Sequence, residues 1–192
     1  MWLTGPWSAK LEAMTTSEQS TLATGAWDLD TAHSSVNFTV RHLGISKVRG
    51  RFNNFETSFV VDASGAATIE ATIYLDSFDT GNAQRDEHVR SAELLNVEAR
   101  PTLHFKAVEP VRIAEDFEVT GDVTLGGVTK PVTLEVEWGG VQEFQDGRRH
   151  AGFSATGSIK RSEFDVAPGL PTAMLSDKVA IELDIQLIEP QN

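Results

Sequence analysis

The sequence predicts an all-β protein, folded as a single antiparallel β-barrel of about eight strands with a short helical insert around residues 84–95. Three observations predict it. From Ala26 onward, apolar and polar residues alternate one by one in run after run, the period of a strand with one face buried. Short turn signals separate the runs ("DASGA", "LGGVTKP", "WGGVQEFQDGRR", "APGLP"), and short connections favour antiparallel neighbours, because parallel ones need long crossovers. The alternation breaks off in "DTGNAQRDEHVRSAELLN", residues 79–96, where Arg85, Asp86, Glu87, His88 and Arg90 crowd into six positions of helix-forming composition.

Each strand follows from its own face. "SVNFTVRH" sets Val36, Phe38, Val40 and His42 on one side and Asn37, Thr39 and Arg41 on the other. "NNFETSFVVD" groups Phe55, Thr57, Phe59 and Val61, and "ATIEATIYLD" stacks Ile69, Ala71, Ile73 and Leu75. "TLHFKAV" sets Leu103, Phe105 and Ala107 against Thr102, His104 and Lys106. Then come Phe117, Val119, Gly121, Val123 and Leu125, followed by Val132, Leu134, Val136 and Trp138. "AGFSATGSI" adds Ala151, Phe153, Ala155, Gly157 and Ile159, and "VAIELDIQL" adds Val179, Ile181, Leu183, Ile185 and Leu187. Such runs are long for a sandwich and suit a curved, closed sheet, with Gly121, Gly126, Gly127 and Gly157 as places where it bends or bulges. A barrel of this size is either just filled by its own side chains or just wide enough for one small ligand. Small inward residues favour a pocket, while larger partners packed over the same alanines and glycines favour a filled core; both readings stay open.

Composition narrows the function. A chain of 192 residues is most simply one domain, here 26–190, preceded by a polar, poorly patterned segment 1–25 read as a disordered tail, in which Met14 offers an alternative start. The N-terminus lacks a basic start followed by an apolar run, and no stretch is apolar enough to span a bilayer, so no integral membrane segment and a cytoplasmic location are expected. A net charge of −12 argues against nucleic-acid binding and against loose docking on anionic membranes. Without cysteine there is no disulfide, thiolate metal site or cysteine nucleophile.

The five histidines, 33, 42, 88, 104 and 150, follow no metal-ligand spacing. A site assembled across strands from His33, His42, His88 and Asp86 is the one metal arrangement open, and no metal is expected. His104 and His150 read as solvated, and inward-facing His42 as a hydrogen-bonded core residue. In the insert, Val89, Ala92 and Leu94 or Leu95 make a short apolar face, and Asp86 and Arg90 have the spacing of a modest ion pair. Asp86 and His88, two apart on a helix, point to different faces and cannot form a catalytic dyad, and Ser91 lies in no nucleophile motif.

Three stretches, "WDLDTAHSSVNFTVRHLGISKVRGRF", "FDTGNAQRDEHVRSAELLNVEARPTLHF" and "VTGDVTLGGVTKPVTLEVE", closely resemble the YceI-like family of bacterial lipid-binding proteins, over about residues 26–188. The resemblance implies a lipocalin-like barrel whose internal cavity holds an isoprenoid chain, such as a polyprenyl or quinone tail, with no cofactor. Matching positions are Asp30, His33, Ser34, His42, Gly50, Phe52, Arg85, Asp86, His88 and Pro101. The family's usual Arg, two residues, Phe, Gly reads "RSEFDV" here, with Asp165 in place of that glycine, which leaves the local loop geometry open. Many relatives carry a secretion signal that this N-terminus does not repeat.

The expected function is therefore a carrier or storage protein for a long-chain isoprenoid or similar amphiphile. The expected ligand contacts are Val36, Phe38, Val40, His42, Phe55, Phe59, Ile69, Ile73, Phe78, Arg85, Asp86, His88, Phe105, Phe117, Val123, Trp138 and Phe153, with no catalytic residue. Two alternatives stand beside it: a hydrolase or isomerase acting on an amphiphilic lipid through His88, Asp86 or His42, and a structural or stress-related module with a filled core. The expected partner is a hydrophobic small molecule, and an exposed barrel edge would allow two subunits to pair as a homodimer.

Overall fold

The structure, a computed structural model, describes residues 22–191. Its elements in chain order are β1 (Gly25–Leu29), β2 (Ser35–His42), β3 (Ser46–Phe52), β4 (Phe55–Val61), β5 (Ala66–Tyr74), β6 (Phe78–Asp79), α1 (Ala83–Arg90), β7 (Thr102–Ala107), β8 (Val111–Arg112), β9 (Asp116–Leu125), β10 (Val128–Glu143), β11 (Arg149–Lys160) and β12 (Lys178–Ile188). Eight of these strands close an antiparallel ring in the order β1, β4, β5, β7, β9, β10, β11, β12 and back to β1. Closure removes the free edges that an open sheet would expose.

The seam of the ring is made in two parts. β1 pairs through Gly25–Trp27 with Phe59–Val61 of β4 and through Asp28 and Leu29 with β12, but it is too short to run the height of the barrel. Beyond its reach β12 pairs with β2, β2 pairs with β3, and β3 meets β6 at Arg51 and Phe52. Among the described residues, Ser46–Gly50 of β3 therefore have no strand on their outer side. Seven ring strands coincide with alternating runs in the sequence. The eighth, β1, is five residues long and buries little besides Trp27, too short a stretch to show a period.

The glycines divide into two kinds. Gly126 and Gly127, at φ +57° and +81°, form the two-residue turn between β9 and β10, where both central positions require positive φ. The sheet bulges instead at Gly139–Gly140 of β10, where the register with β11 shifts between Trp138 and Gly140. Gly121 and Gly157, read from the sequence as bends, stay in register. A Cβ at Gly121 would lie 2.3 Å from the Phe105 ring, and one at Gly157 would lie 2.7 Å from Leu134. A large neighbour thus covers the missing side chain at both positions.

Two apolar clusters fill the ends. At the end carrying the β4–β5 and β10–β11 turns, Leu22, Trp27, Phe59, Val61, Ala67, Ala151 and Leu187 pack together. Of the expected tail, residues 1–21 and Met14 with them lie outside the described residues; Leu22 is buried and Gly25 opens β1. At the other end, Phe38, Phe52 and Phe78 stack around one another at 5.1–5.8 Å, beside Leu75, Leu95, Leu125 and Phe164. Among the described residues no helix is long and apolar enough to cross a membrane.

Candidate functional site

Inside the barrel, lined in part by both clusters, lies a cavity of about 410 Å³, within the range of small-molecule sites. Its wall is the inward face of the ring strands other than β1, and of β2–β3, and it is apolar almost throughout. The interior is thus not filled, although the filled-core reading holds locally at the glycines covered by Phe105 and Leu134. Val36, Phe38, Val40, His42, Phe55, Phe59, Ile69, Ile73, Phe78, Arg85, Phe105, Phe117, Val123 and Phe153 all stand on this wall.

Three expected contacts do not. Trp138 precedes the bulge in β10 and packs beside Phe153, ring centroids 4.8 Å apart, outside the cavity wall. His88 points to solvent, its side chain 62% exposed and 3.6 Å from Glu93. Asp86 is buried but turned back on its own loop: both carboxylate oxygens accept the Thr80 N–H at 3.1 Å, and one accepts the Thr80 hydroxyl. Arg85 completes the knot by donating from Nε to the Thr80 hydroxyl at 2.7 Å and from its guanidinium to the Thr80 carbonyl at 3.1 Å. The expected Asp86–Arg90 pair does not form, since Arg90 donates instead to the Phe78 carbonyl.

The insert is therefore a brace. Its helix starts at Asn82, whose side chain caps the Arg85 N–H at 3.0 Å, and stops at Arg90, five residues short of the expected end. That early stop leaves Ala92 exposed, while Val89, Leu94 and Leu95 reach the cavity wall. No acid–base pair is assembled here. Among the described residues no group of three histidines, aspartates or glutamates is placed to hold a metal ion, and His33, His42, His88 and Asp86 are not brought together.

The segment 161–177 closes the same end, and alternation could not reveal it because its backbone is irregular. Arg161 is 5% exposed and spreads its guanidinium over five carbonyls, those of Ser176, Val166, Ala167, Leu170 and Leu175. Phe164, three residues on in a 3₁₀ turn, is almost wholly buried against the cavity. Arg100 ties this segment to the one after α1, donating to the carbonyls of Leu94, Leu95, Phe164 and Asp165.

Asp165 ends the turn at φ 53° and ψ 39°, the left-handed geometry that glycine adopts freely and aspartate tolerates. Aspartate at this position thus holds a left-handed turn end at a small energetic cost. Asp165→Gly should raise stability by about 0.5 kcal/mol, and Asp165→Val should lower it by at least about 1 kcal/mol. Urea midpoints of the three proteins check this.

The Asp30–His33–Ser34 signature is a clamp on β12. Asp30 accepts from the Ala32 N–H and the Gln186 side chain, both at 3.1 Å, and bonds the His33 ring at 2.9 Å; the Ser34 hydroxyl accepts the Gln186 N–H at 2.9 Å. Burial pushes the Asp30 carboxyl up, but the His33 and Ala32 contacts outweigh it and hold it below its ordinary value. His150, expected in solvent, is half-buried beside this clamp, its side chain 11% exposed, and bonds Gln186 at 2.9 Å. His104 is exposed between Thr72 and Thr102, as its strand face indicated.

Hydrogen bonds also lower the carboxyls of Asp62 (from Ser64), Asp79 (from Gly81 and Asn53), Asp146 (from Arg148), Asp177 (from Ser162) and Glu189 (from Arg149). A depressed carboxyl stabilises the fold above its unfolded-state pKa, and that contribution is lost as pH falls through the lower folded-state value. Thermal midpoints should therefore fall steadily between about pH 4 and pH 2. A midpoint unchanged over that window in a thermal melt would show that these contacts do not favour the folded state.

One polar atom inside the cavity stands out. The Thr57 hydroxyl, on the wall between Phe55 and Phe59, is buried with no hydrogen-bond partner among the described residues. Two exposed polar side chains, His42 and Arg85, also reach the wall, so the cavity meets the surface near them, beside the open edge of β3.

Comparison with known proteins agrees with this architecture. The chain is 38% identical over 167 residues to a UPF0312 protein of Enterobacter sp. (strain 638), covering 86% of each. It is 37% identical over 159 residues to protein YceI of Salmonella arizonae, covering 82% of this chain and 83% of that one. The crystal structure of the Campylobacter jejuni YceI protein superposes with a TM-score of 0.70 at 31% identity, over 79% of this chain and 90% of that one. A polyisoprenoid-binding domain from Saccharophagus degradans shares the fold at 21% identity, with a TM-score of 0.64, over 86% of this chain and 99% of that one. The family model of the YceI-like domain matches residues 27–187, from the first buried tryptophan to the last buried leucine of the barrel. The chain belongs to the YceI-like family.

Proposed function

We propose that the protein is a carrier or storage protein for a long-chain isoprenoid, a polyprenyl compound or the tail of an isoprenoid quinone, held inside the barrel. The observation that carries this reading is the cavity itself: set inside the barrel, lined by aliphatic and phenylalanine side chains, with almost no polar wall. Such a site rewards apolar area alone, at about 0.8 kcal/mol for each buried CH₂. Structural likeness to a polyisoprenoid-binding domain supports the class of ligand. The Thr57 hydroxyl offers a single hydrogen bond to an oxygen carried into the interior, and Arg85 and His42 offer partners to a polar head left at the surface.

Calorimetric titration of the protein with a detergent-dispersed polyprenol and with an isoprenoid quinone tests the reading. Saturable binding of one molecule per chain with a negative heat-capacity change is expected, the mark of buried apolar surface. No saturable binding of either compound would overturn it.

A further inference from the structure

The net charge of −12 is unevenly placed. Residues 31–55 hold four of the chain's 16 lysines and arginines and none of its 28 acidic residues. This stretch is the β2–β3 hairpin. Its register sets Arg41 opposite Lys47, Thr39 opposite Arg49 and Asn37 opposite Arg51, with all four cations exposed. Arg51 is 3.5 Å from Asp79, whereas Arg41, Lys47 and Arg49 pair with no carboxylate among the described residues. On the neighbouring β12, Lys178 stands between Ala180, which faces Thr39, and Ser176, whose N–H bonds the Arg41 carbonyl at 2.9 Å. Lys178 in turn faces Lys160 across the sheet. Like charges directly opposite each other weaken a strand pair, yet this end of the barrel carries two such pairs in a row.

The hairpin tip between them is apolar. Ile45 is 84% exposed and Leu43 50% exposed, and Leu43 holds φ +53°, a conformation in which a leucine is strained. Met174, 45% exposed, lies behind the tip, where its carbonyl accepts the Leu43 N–H at 2.8 Å. Among the described residues, three of the six exposed large hydrophobic side chains meet here. Arg41 and Lys47 are each two residues from the turn, about 7 Å along the strand and within a Debye length of whatever the tip touches.

We propose that this hairpin docks the protein on an anionic phospholipid surface, with Leu43, Ile45 and Met174 entering the boundary between headgroups and acyl chains and Arg41, Lys47 and Arg49 meeting lipid phosphates. An inserted apolar tip and a basic flank are the two signals that together give stable attachment where either alone gives little. Three side chains are too small a patch for a stable protein interface, which buries about 800 Å² on each partner. The overall negative charge keeps the rest of the molecule off the surface and so orients it, tip down. Next to the tip, His42 bridges to Leu175, and both residues line the cavity. Docking would thus set the cavity beside the bilayer; that consequence for ligand transfer rests on the carrier reading, whereas the docking does not.

Flotation of the full chain with phosphatidylcholine vesicles, with and without phosphatidylglycerol, tests the proposal. Binding is expected to need phosphatidylglycerol and to weaken with salt. Arg41→Ser and Lys47→Ser should each reduce it about fivefold, and Ile45→Ser should reduce it further without changing its salt dependence. None of these three residues lines the cavity, so polyprenol binding in solution should be unchanged. Failure of the wild-type protein to float with anionic vesicles at low salt would overturn the proposal. So would flotation indifferent to all three substitutions, or a dimer in solution that they dissolve without any vesicle binding. Vesicle binding that survives while polyprenol binding proves absent would remove the carrier reading alone.

Discussion

Arg161→Met should destabilise the protein by at least about 3 kcal/mol, lowering its thermal midpoint by on the order of 10 °C. Methionine replaces the stem of the side chain but none of its donors. The carbonyls of Val166, Ala167, Leu170, Leu175 and Ser176 now share one guanidinium at 2.6–3.2 Å, and several of them would be left without a partner away from water. Arg161→Lys should recover little, because an ammonium on a flexible stem cannot span the fan of acceptors that a planar guanidinium reaches. The loss should concentrate in segment 161–177, so its amides should exchange with deuterium faster than those of β9 and β10. Hydrogen exchange with thermal melting checks both parts.

Ala155→Trp should weaken ligand binding by roughly a thousandfold while leaving the fold intact. Ala155 is on β11 with its side chain on the cavity wall, opposite Val136 of β10 and Leu183 of β12. An indole there fills existing space rather than forcing a packed core apart, so the thermal midpoint of the empty protein should hold or rise. It would also displace about five carbons of any bound chain, about 4 kcal/mol or roughly a thousandfold in Kd. Ala71→Trp, on the opposite wall in β5, should act alike. Calorimetry with a polyprenol measures the loss, and unchanged affinity in both variants would place the ligand outside the barrel.

What the sequence revealed follows from where one physical signal acts. Side chains that alternate between core and water imprint a period of two, so seven ring strands and most of the cavity wall are legible in the alternation alone. β1 is too short to show a period, and in β3 the inward positions include Ser46 and Gly50, which carry little hydrophobic signal. Segment 161–177 buries its polar backbone through Arg161, and a lone arginine in a sequence looks like a surface residue. The insert misled in another way. Its crowded charges suggest a site, yet Asp86 and Arg85 spend their hydrogen bonds on Thr80, and His88 faces solvent. Trp138 keeps the inward pattern of β10, in register opposite Phe153, but it packs in the end cluster rather than on the cavity wall, and alternation gives the face of a residue, not its height in the barrel.

Native mass spectrometry of the protein purified without detergent, paired with organic extraction of the same sample, asks whether the barrel holds an apolar chain. An added mass of one long-chain isoprenoid per protein molecule is expected, extractable into organic solvent and greatly reduced in Ala155→Trp. A protein of bare polypeptide mass that also takes up no polyprenol or isoprenoid quinone when offered them would contradict the carrier reading.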